Sequence, residues 1–172
     1  MKTALITGAS SGIGLELAHI FAANKINLVL VARNQTQLNL LAQELQQKYN
    51  VQVTVCVKDL SKNNQVTELI EALKNTSISY LINNAGFGEF GAFNEPPWQK
   101  SQDQIAVNIT ALTHLTHAFL PKMVEQKFGK ILNVASVAGF LPGPNMAVYY
   151  ATKAYVLHFS EAISYELKTS GI

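Results

Sequence analysis

The alternation of short apolar segments with longer segments of helical spacing is the feature that most constrains this 172-residue chain. Five runs are rich in β-branched or aliphatic residues and nearly continuous in apolar character, as expected for strands buried on both faces. A regular alternation of strands and helices predicts parallel strands joined by right-handed crossovers. The predicted strands cover residues 3–7, 26–32, 51–57, 79–84 and 129–136, and the predicted helices cover 12–24, 35–49, 62–75, 99–127 and 149–169. The sequence therefore predicts an α/β fold.

Length and composition fit a single globular domain, residues 1–172, because 48% of the residues are hydrophobic and only 14% are charged. The net charge of +2, with no basic cluster, gives no support to nucleic-acid binding. No apolar run approaches the length of a membrane span, and no signal peptide is evident. The single cysteine, Cys56, excludes an intramolecular disulfide and reads as a buried structural thiol. These features predict a soluble, cytoplasmic protein without a nucleic-acid or membrane partner.

Local signals refine the helix boundaries. Asn34 and Ser61 are suitable N-caps for the second and third predicted helices. Pro121 lies within the long fourth segment and is expected to bend or break it. The loop at 85–98 is rich in Gly, Phe and Pro, and it is either a flexible connection or a wall of a ligand site.

The first predicted strand runs directly into the sequence TGASSGIG, residues 7–14, which carries Gly8, Gly12 and Gly14. A strand, a glycine-rich turn and a helix N-terminus together favour an anion, because free backbone N–H groups and the helix dipole both point at it. The spacing differs from the Gly-x-Gly-x-x-Gly fingerprint, and no Lys-Ser/Thr follows as it would in a P-loop. The turn predicts a dinucleotide pyrophosphate site; the alternative is a turn that binds nothing.

The residues after the second and third predicted strands bear on the type of cofactor. An acidic residue after the second strand would bind a ribose 2′-hydroxyl, but this chain has Ala32 and Arg33 there. A guanidinium suits a 2′-phosphate, so NADP(H) is favoured over NAD(H), although Arg33 could also be a solvated surface residue. Asp59 and Leu60 follow the third strand, where the carboxylate could accept from an adenine amino group or cap the next helix.

Two tyrosines and a lysine stand at the head of the last predicted helix. Tyr149 and Lys153 are four residues apart and Tyr150 and Lys153 are three apart, so either pair can share a helix face. A nearby ammonium favours the phenolate form of a tyrosine and can make it a proton donor and acceptor near neutral pH. The pair is therefore a candidate acid–base couple or only a polar edge of a helix.

Taken together, these segments resemble the short-chain dehydrogenase/reductase (SDR) family over essentially the whole chain. The matching motifs occur in the family's order and are TGASSGIG (7–14), NNAG (83–86), Asn108 in VNITAL, Ser136 in NVASVAG, and Tyr149-x-x-x-Lys153. The spacing from Ser136 to Tyr149 is also that of the family. The resemblance implies a Rossmann-type doubly wound parallel sheet of order 3-2-1-4-5, and it selects Tyr149 over Tyr150, which then falls on a neighbouring helix face.

The resemblance also implies an oxidoreductase that transfers a hydride reversibly between NADP(H) and a carbonyl or alcohol substrate. In this reading Tyr149 exchanges the proton with the substrate oxygen, Lys153 favours the phenolate and holds the nicotinamide ribose, Ser136 hydrogen-bonds the substrate oxygen, and Asn108 anchors a proton-relaying water chain. Asn83 braces the sheet. The implied cofactor-binding residues are Gly8, Ser10, Ser11, Gly12, Ile13, Gly14, Arg33, Asp59, Leu60, Asn84, Ala85, Gly86, Tyr149 and Lys153.

The family resemblance carries one departure. Family members usually continue into a sixth strand, a Pro-Gly turn, a substrate-covering loop and a seventh strand, none of which this sequence contains. The expectation is a C-terminally truncated NAD(P)-binding domain whose fifth strand is an apolar sheet edge. A homo-oligomer through the helices at 99–127 and 149–169 is implied. The alternative function is a catalytically silent nucleotide-binding or interaction module.

Other residues carry weaker predictions. His114 and His117 are three apart on a helix, but no third ligand is apparent, so no metal site is predicted. Phe87, Phe90 and Phe93 lie near the expected mouth of the site and suggest tolerance for an apolar carbonyl compound, although they could equally be packing residues.

Overall fold

A computed structural model describes residues 2–172 and shows one parallel five-stranded sheet in the order β3-β2-β1-β4-β5. The predicted fold class and strand order are therefore confirmed. The strands are β1 (Thr3–Thr7), β2 (Asn27–Ala32), β3 (Val53–Val57), β4 (Tyr80–Asn83) and β5 (Lys130–Asn133). The helices are α1 (Gly12–Ala23), α2 (Gln35–Tyr49), α3 (Asn63–Leu73), α4 (Trp98–Ile105), α5 (Leu112–Glu125) and α6 (Ala147–Glu166).

Helices cover both faces of the sheet. Because successive side chains of a strand point to opposite faces, each central strand contributes to the packing on both sides. Ile6 and Leu30 pack with Leu38 on the side of α1 and α2. Leu5 and Val29 belong to the opposite cluster, which includes residues of α3 and α5. This two-faced burial explains why the central strands lack a polar-apolar alternation and read as continuous apolar runs.

The edge strands depart from the sequence prediction of burial on both faces. In β3 the side chains of Thr54 and Val57 are exposed, and in β5 those of Lys130 and Leu132 are exposed. Each edge strand has a hydrogen-bonded neighbour on one side only. Apolar composition alone therefore predicted the existence of these strands correctly, but it overestimated their burial.

Two helix-boundary signals gave different outcomes. Asn34 caps α2 as predicted, its side chain accepting from the backbone N–H of Gln37 at 3.1 Å. Ser61 was wrong as the N-cap of α3, which begins at Asn63 with Lys62 in the capping position. The Ser61 backbone N–H instead donates to the Asp59 carboxylate at 3.0 Å. This hydrogen bond stabilises the turn that precedes α3 and does not cap the helix.

Of the bend or break predicted at Pro121, the break was wrong, because α5 continues through Pro121 to Glu125. The irregularity lies earlier, in a π-helical segment at Ala106–Ala111 between α4 and α5. A π-helical turn inserts an extra residue into the helix, and such turns are frequent at functional sites. Asn108 lies at the centre of this segment.

The carboxyl ends of all five strands open onto one edge of the sheet, which is the usual ligand-binding edge of an open α/β fold. A short 3₁₀-helix, Val137–Phe140, follows β5 and packs on α6. No helix within residues 2–172 has both the length and the apolar character needed to cross a bilayer.

Candidate active site at the carboxyl edge of the sheet

An open cleft of about 1440 Å³ runs along the carboxyl edge of the sheet. It exceeds the roughly 300–1,000 Å³ of ordinary small-ligand pockets, so it has room for an extended molecule. The predicted residues that line it are Gly8, Ser10, Ser11, Ile13, Arg33, Asp59, Leu60, Asn84, Ala85, Gly86, Ser136, Tyr149 and Lys153. The topology therefore brings together segments that are up to 145 residues apart in the chain, from Gly8 to Lys153.

The remaining predicted residues, Gly12, Gly14 and Asn108, do not line the cleft but lie directly beside it. Gly14 approaches the backbone of Gly8 and the side chain of Asn84 so closely that a Cβ there would overlap both. The third glycine of the loop is thus a packing residue that holds α1 against the end of β1. Asn108 is only 1% exposed and lies behind Gly86.

The N-terminus of α1 is arranged to receive an anion. Its N-cap residue Ser11 makes no side-chain hydrogen bond to the first turn, and no acidic residue is present there. The first backbone N–H groups of a helix carry partial positive charge, so an uncapped first turn beside a cleft favours a negative group. These residues fit a dinucleotide pyrophosphate.

Two asparagines at the end of β4, its last residue and the one after it, connect neighbouring strands. The Asn84 side-chain amide donates to the backbone carbonyl of Thr7 at 2.9 Å and so joins the ends of β4 and β1. The Asn83 amide donates to Asn133 Oδ1 at 2.9 Å and to Thr116 at 3.0 Å, which links β4 to β5 and α5. The bracing expected of Asn83 is matched by these contacts, and Asn84 combines bracing with a position in the cleft.

Asn108 connects three parts of the site through its side chain. Its amide nitrogen donates to the carbonyl of Phe87 and to Thr152 Oγ1, each at 3.0 Å, and its Oδ1 accepts from the Phe87 N–H at 3.1 Å. The π-helical turn thereby fastens the loop after β4 to α6. Sequence reasoning missed Thr152, since a single threonine between Tyr149 and Lys153 carries no recognisable signal.

Lys153 is buried in the floor of the cleft and is 6% exposed. Its ammonium donates to the carbonyl of Val134 at 2.7 Å and lies 5.8 Å from the centre of the Tyr149 ring. Burial lowers the pKa of Lys153, because the charged form loses solvation. Among the ion pairs of residues 2–172, none involves Lys153, so its charge is available to a nearby anion.

The packing of the two tyrosines differs. A Cβ placed on Gly88 would lie 3.0 Å from the Tyr149 ring, and Tyr149 lines the cleft. The Tyr150 ring instead covers Gly143, and it meets the Tyr149 ring edge-on with centroids 6.2 Å apart. Ser136 lines the same cleft as Tyr149, and its Oγ accepts from the N–H of Ala138 at 3.2 Å. Within residues 2–172 the Ser136 hydroxyl donates no hydrogen bond, so its hydrogen is available to a substrate oxygen.

Charged residues cluster at the end of the cleft formed by β2 and β3. The pKa of Asp59 lies below its ordinary value: desolvation is the largest single effect and raises it, but the hydrogen bonds from Ser61 and the charges of Arg33 and Lys62 together outweigh it. Burial raises the pKa of the Cys56 thiol, opposed by the Lys58 ammonium. Lys58 also lines the cleft and was not predicted from sequence.

Within residues 2–172 no group of three His, Cys, Asp or Glu side chains could hold a metal ion. His114 and His117 therefore have no third ligand in the described part of the chain.

Comparison with known proteins identifies the relatives of this chain. A family model described as short chain dehydrogenase matches residues 2–172. The inactive hydroxysteroid dehydrogenase-like protein 1 of Homo sapiens is 35% identical over 99% of this chain and 53% of its own length. The chain thus spans about half the length of the curated relatives it matches.

Solved structures agree with the fold over the whole chain. The bulky-bulky ketone specific alcohol dehydrogenase of Comamonas testosteroni is 41% identical with a TM-score of 0.95, and the match covers 100% of this chain and 69% of that protein. A short-chain dehydrogenase of Sphingobium yanoikuyae in complex with NADPH is 40% identical with a TM-score of 0.96, and the match covers 100% of this chain and 68% of that protein.

Proposed function

Because this chain belongs to the short chain dehydrogenase family, we propose that it transfers a hydride between NADP(H) and a carbonyl or alcohol substrate. The observation that carries the proposal is the placement of Tyr149, Lys153 and Ser136 together along one cleft, with the buried Lys153 ammonium beside the Tyr149 ring and without a carboxylate partner among the described residues. A buried cation of this kind stabilises an anion next to it.

The roles of the side chains follow from their chemistry. In reduction, Tyr149 donates its phenolic proton to the substrate oxygen, and the Lys153 ammonium stabilises the phenolate that remains. Ser136 donates a hydrogen bond to the same oxygen and favours the negative charge that develops there. Asn108 joins the loop after β4 to α6 through its hydrogen bonds to Phe87 and Thr152, and we propose that it also anchors a proton-relaying water chain. The nicotinamide, when bound, supplies or accepts the hydride.

The cofactor would lie along the residues of the cleft. The uncapped first turn of α1 and the serines of its loop would hold the pyrophosphate. Asp59 and Leu60 would contact the adenine, and Arg33 would hold the 2′-phosphate, so that NADP(H) is preferred to NAD(H). Tyr149 and Lys153 would hold the nicotinamide ribose. The bound NADPH of the Sphingobium yanoikuyae relative supports this choice of cofactor.

An apolar rim supports a large apolar substrate. Two segments flank the site, and the loop after β4 is joined to the segment before α6 by the hydrogen bond from Gly91 N–H to the Asn145 carbonyl at 2.9 Å. The exposed apolar side chains of these segments, which we name the apolar rim, are Phe90, Phe93, Val137, Phe140 and Leu141. Each is at least 59% exposed, and Phe90 and Val137 directly follow Glu89 and Ser136, which line the cleft. We propose that these side chains present apolar area at the mouth of the site. The bulky-ketone specificity in the name of the Comamonas testosteroni relative is consistent with this proposal.

We further propose that the protein acts in the cytoplasm.

We also propose that two copies associate through α4–α5 and α6. The support for association is an aromatic patch on these helices, in which Tyr155 stacks on Phe159 with ring centroids 5.7 Å apart. The Tyr155 hydroxyl pairs with Thr113 Oγ1 at 3.0 Å, and Tyr155 is still 37% exposed. Large exposed aromatic side chains are typical of the central part of an interface.

A catalytically silent nucleotide-binding module is the second candidate, favoured by the word "inactive" in the name of the human relative. The presence of Ser136, Tyr149 and Lys153 along one cleft, with Asn108 directly beside it, weighs against the silent module for this chain. The two candidates differ in a direct measurement: a silent module binds NADPH but does not oxidise it when a ketone is added.

The test of the proposed function compares Tyr149→Phe with Tyr150→Phe. NADPH binding is followed by nucleotide fluorescence, and NADPH oxidation at 340 nm is followed with a small methyl ketone and with a diaryl ketone. We expect Tyr149→Phe to retain binding but to lose about 10²–10⁴-fold in turnover, as removal of a general acid does. Tyr150→Phe keeps the ring over Gly143 and should retain most of the turnover. Equal turnover of the Tyr149→Phe variant and the unmodified chain would refute the assignment.

A further inference from the structure

Lys58 stands at the cofactor end of the cleft in an ion pair that the proposed reaction does not use. Its ammonium lies 2.6 Å from Glu68 Oε2, and its side chain is 24% exposed while that of Glu68 is 55% exposed. Lys58 lines the cleft, whereas Glu68 belongs to the neighbouring helix α3 and does not. The lysine is therefore drawn toward a carboxylate outside the cleft while remaining accessible from within it.

Lys58 is the direct neighbour of Arg33 across the sheet. Ala32 pairs with Val57 in the register of β2 and β3, and the Lys58 N–H donates to the Ala32 carbonyl at 3.0 Å. The residues that follow on the two strands are Arg33 and Lys58, and adjacent strands lie only about 5 Å apart. Both residues line the cleft, so two cationic residues follow neighbouring strand ends at the same site.

Two other charged residues near this end of the cleft, Lys62 and Asp59, already have partners within the protein. Lys62 pairs with Asp103 at 3.5 Å, and the Asp59 carboxylate accepts from the Ser61 N–H at 3.0 Å. Arg33 forms no ion pair among residues 2–172. A phosphate monoester carries a charge between −1.5 and −2 near neutral pH, so a single guanidinium neutralises it only in part.

We propose that Lys58 is a second cationic residue for the cofactor 2′-phosphate, acting beside Arg33, and that Glu68 competes with the phosphate for its ammonium. This inference rests on the proposed function, because it assigns a specificity residue within the same cofactor site. A 2′-phosphate brings more charge and more acceptor oxygens than the exposed Glu68 carboxylate. Lys58 exchanges the carboxylate for the phosphate when NADP(H) binds, whereas NAD(H) offers no such exchange and leaves the ion pair intact.

The exchange has opposite consequences for the two partners. Neutralising Lys58 removes a charge-assisted hydrogen bond to the phosphate and weakens only the ligand that carries it. Neutralising Glu68 removes the competitor and strengthens that same ligand. An ion pair that serves only to fasten the end of β3 to α3 would behave differently, because breaking it from either side would affect phosphorylated and unphosphorylated ligands equally.

The experiment measures the affinities of the 172-residue chain for 2′,5′-ADP and 5′-AMP by isothermal titration calorimetry at fixed ionic strength. We define the discrimination as the Kd for 5′-AMP divided by the Kd for 2′,5′-ADP, so a higher value means a stronger preference for the 2′-phosphate. We expect Lys58→Gln to lower the discrimination about tenfold, as the loss of one charged hydrogen bond does. Glu68→Gln should raise it about two- to fivefold, since an exposed ion pair is a weak competitor. Lys74→Gln and Glu71→Gln are matched controls, because these residues form the exposed ion pair at the other end of α3; both should leave the discrimination unchanged.

Several outcomes would overturn the inference. If Lys58→Gln leaves the discrimination unchanged while Arg33→Gln abolishes it, only the role of Lys58 is refuted. The proposed NADP preference then stands. A lower discrimination in Glu68→Gln would mean that Glu68 orients Lys58 and does not compete with the phosphate. If the unmodified chain binds both nucleotides equally, the proposed NADP preference fails together with this inference.

Discussion

Lys153 combines a strong desolvation with a weakly anionic environment. The side chain is almost completely buried, its ammonium has one carbonyl acceptor, and no carboxylate of residues 2–172 pairs with it. Such a charge destabilises the unliganded fold but stabilises an adjacent phenolate or phosphate ester. The buried Lys153 ammonium therefore lowers the free energy of unfolding of the unliganded chain, and it creates a site in which negative charge is favoured.

The stability of the chain should reveal this cost through its pH dependence. Burial lowers the pKa of Lys153 below 10.5, so between the folded pKa and 10.5 the unfolded chain binds more protons than the folded chain. The Lys153 contribution to stability therefore rises with pH through that window, with a limiting slope of about 1.4 kcal/mol per pH unit. We expect the free energy of unfolding of Tyr149→Phe to rise relative to that of Tyr149→Phe/Lys153→Met between neutral pH and about pH 10.5.

Urea unfolding at a series of pH values provides the measurement. In the Tyr149→Phe background the phenol near the Lys153 ammonium is absent, so the two variants differ only at Lys153. A change in packing caused by methionine shifts one curve by a constant and leaves its slope unaltered. Two parallel curves would show that Lys153 retains an ordinary pKa in the folded chain.

At the same residue scale, sequence reasoning identified the chemical groups better than their contacts. The spacing of Tyr149, Tyr150 and Lys153 permitted two pairs, and only the family pattern preferred Tyr149. The structure adds a physical reason: the Tyr150 ring is committed to Gly143, while Tyr149 lines the cleft. Lys58 could not be predicted from sequence, because its relevance arises from the register of β3 against β2.

At the scale of elements, the loop between β1 and α1 requires glycine at two positions for different physical reasons. Gly14 packs against Gly8 and Asn84 with no room for a Cβ, whereas Gly12 has open space around it but a positive φ of 54°. Asparagine tolerates the left-handed conformation better than alanine does. The two positions should therefore respond differently to the same substitutions.

We expect Gly12→Asn to cost less stability than Gly12→Ala, which should lose about 1–2 kcal/mol through backbone strain. Gly14→Ala and Gly14→Asn should both lose about 1–3 kcal/mol or more, because either side chain must displace backbone atoms. Both Gly14 variants should also weaken NADPH binding, since α1 moves away from β1. Urea unfolding and nucleotide fluorescence check these outcomes, and a Gly14→Asn variant as stable as Gly12→Asn would contradict them.

The periodic elements were largely predictable, and the irregular ones were not. The five strands and the flanking helices follow from apolar runs and three- to four-residue spacing, which depend on local sequence. The π-helical turn at Ala106–Ala111 has no such local signature. It coincides with the contacts of Asn108 to Phe87 and Thr152, so it is a tertiary feature. Pro121, the conspicuous local signal, is accommodated within α5.

At the scale of the whole molecule, β5 is an edge strand with exposed side chains. It pairs with β4 only, and Leu132 is 43% exposed on it. A hollow of about 460 Å³ beside it is lined by residues of α6 such as Leu157, Ser160 and Tyr165. A partly apolar strand with free N–H and C=O groups on one side is a template for pairing with another chain.

This edge makes self-association of the 172-residue chain testable. We expect Leu132→Lys to reduce the concentration-dependent increase in sedimentation coefficient, because a lysine on an edge strand opposes strand-to-strand pairing. Leu40→Lys is the matched control: Leu40 is 61% exposed on α2, away from the edge, and the charge change is the same. If both variants sediment alike, overall charge is responsible and β5 is not the contact. Association that survives Leu132→Lys but is lost in Tyr155→Glu would refute the contact at β5 and leave only the proposed interface of α4–α5 and α6, where a carboxylate would be buried without a partner.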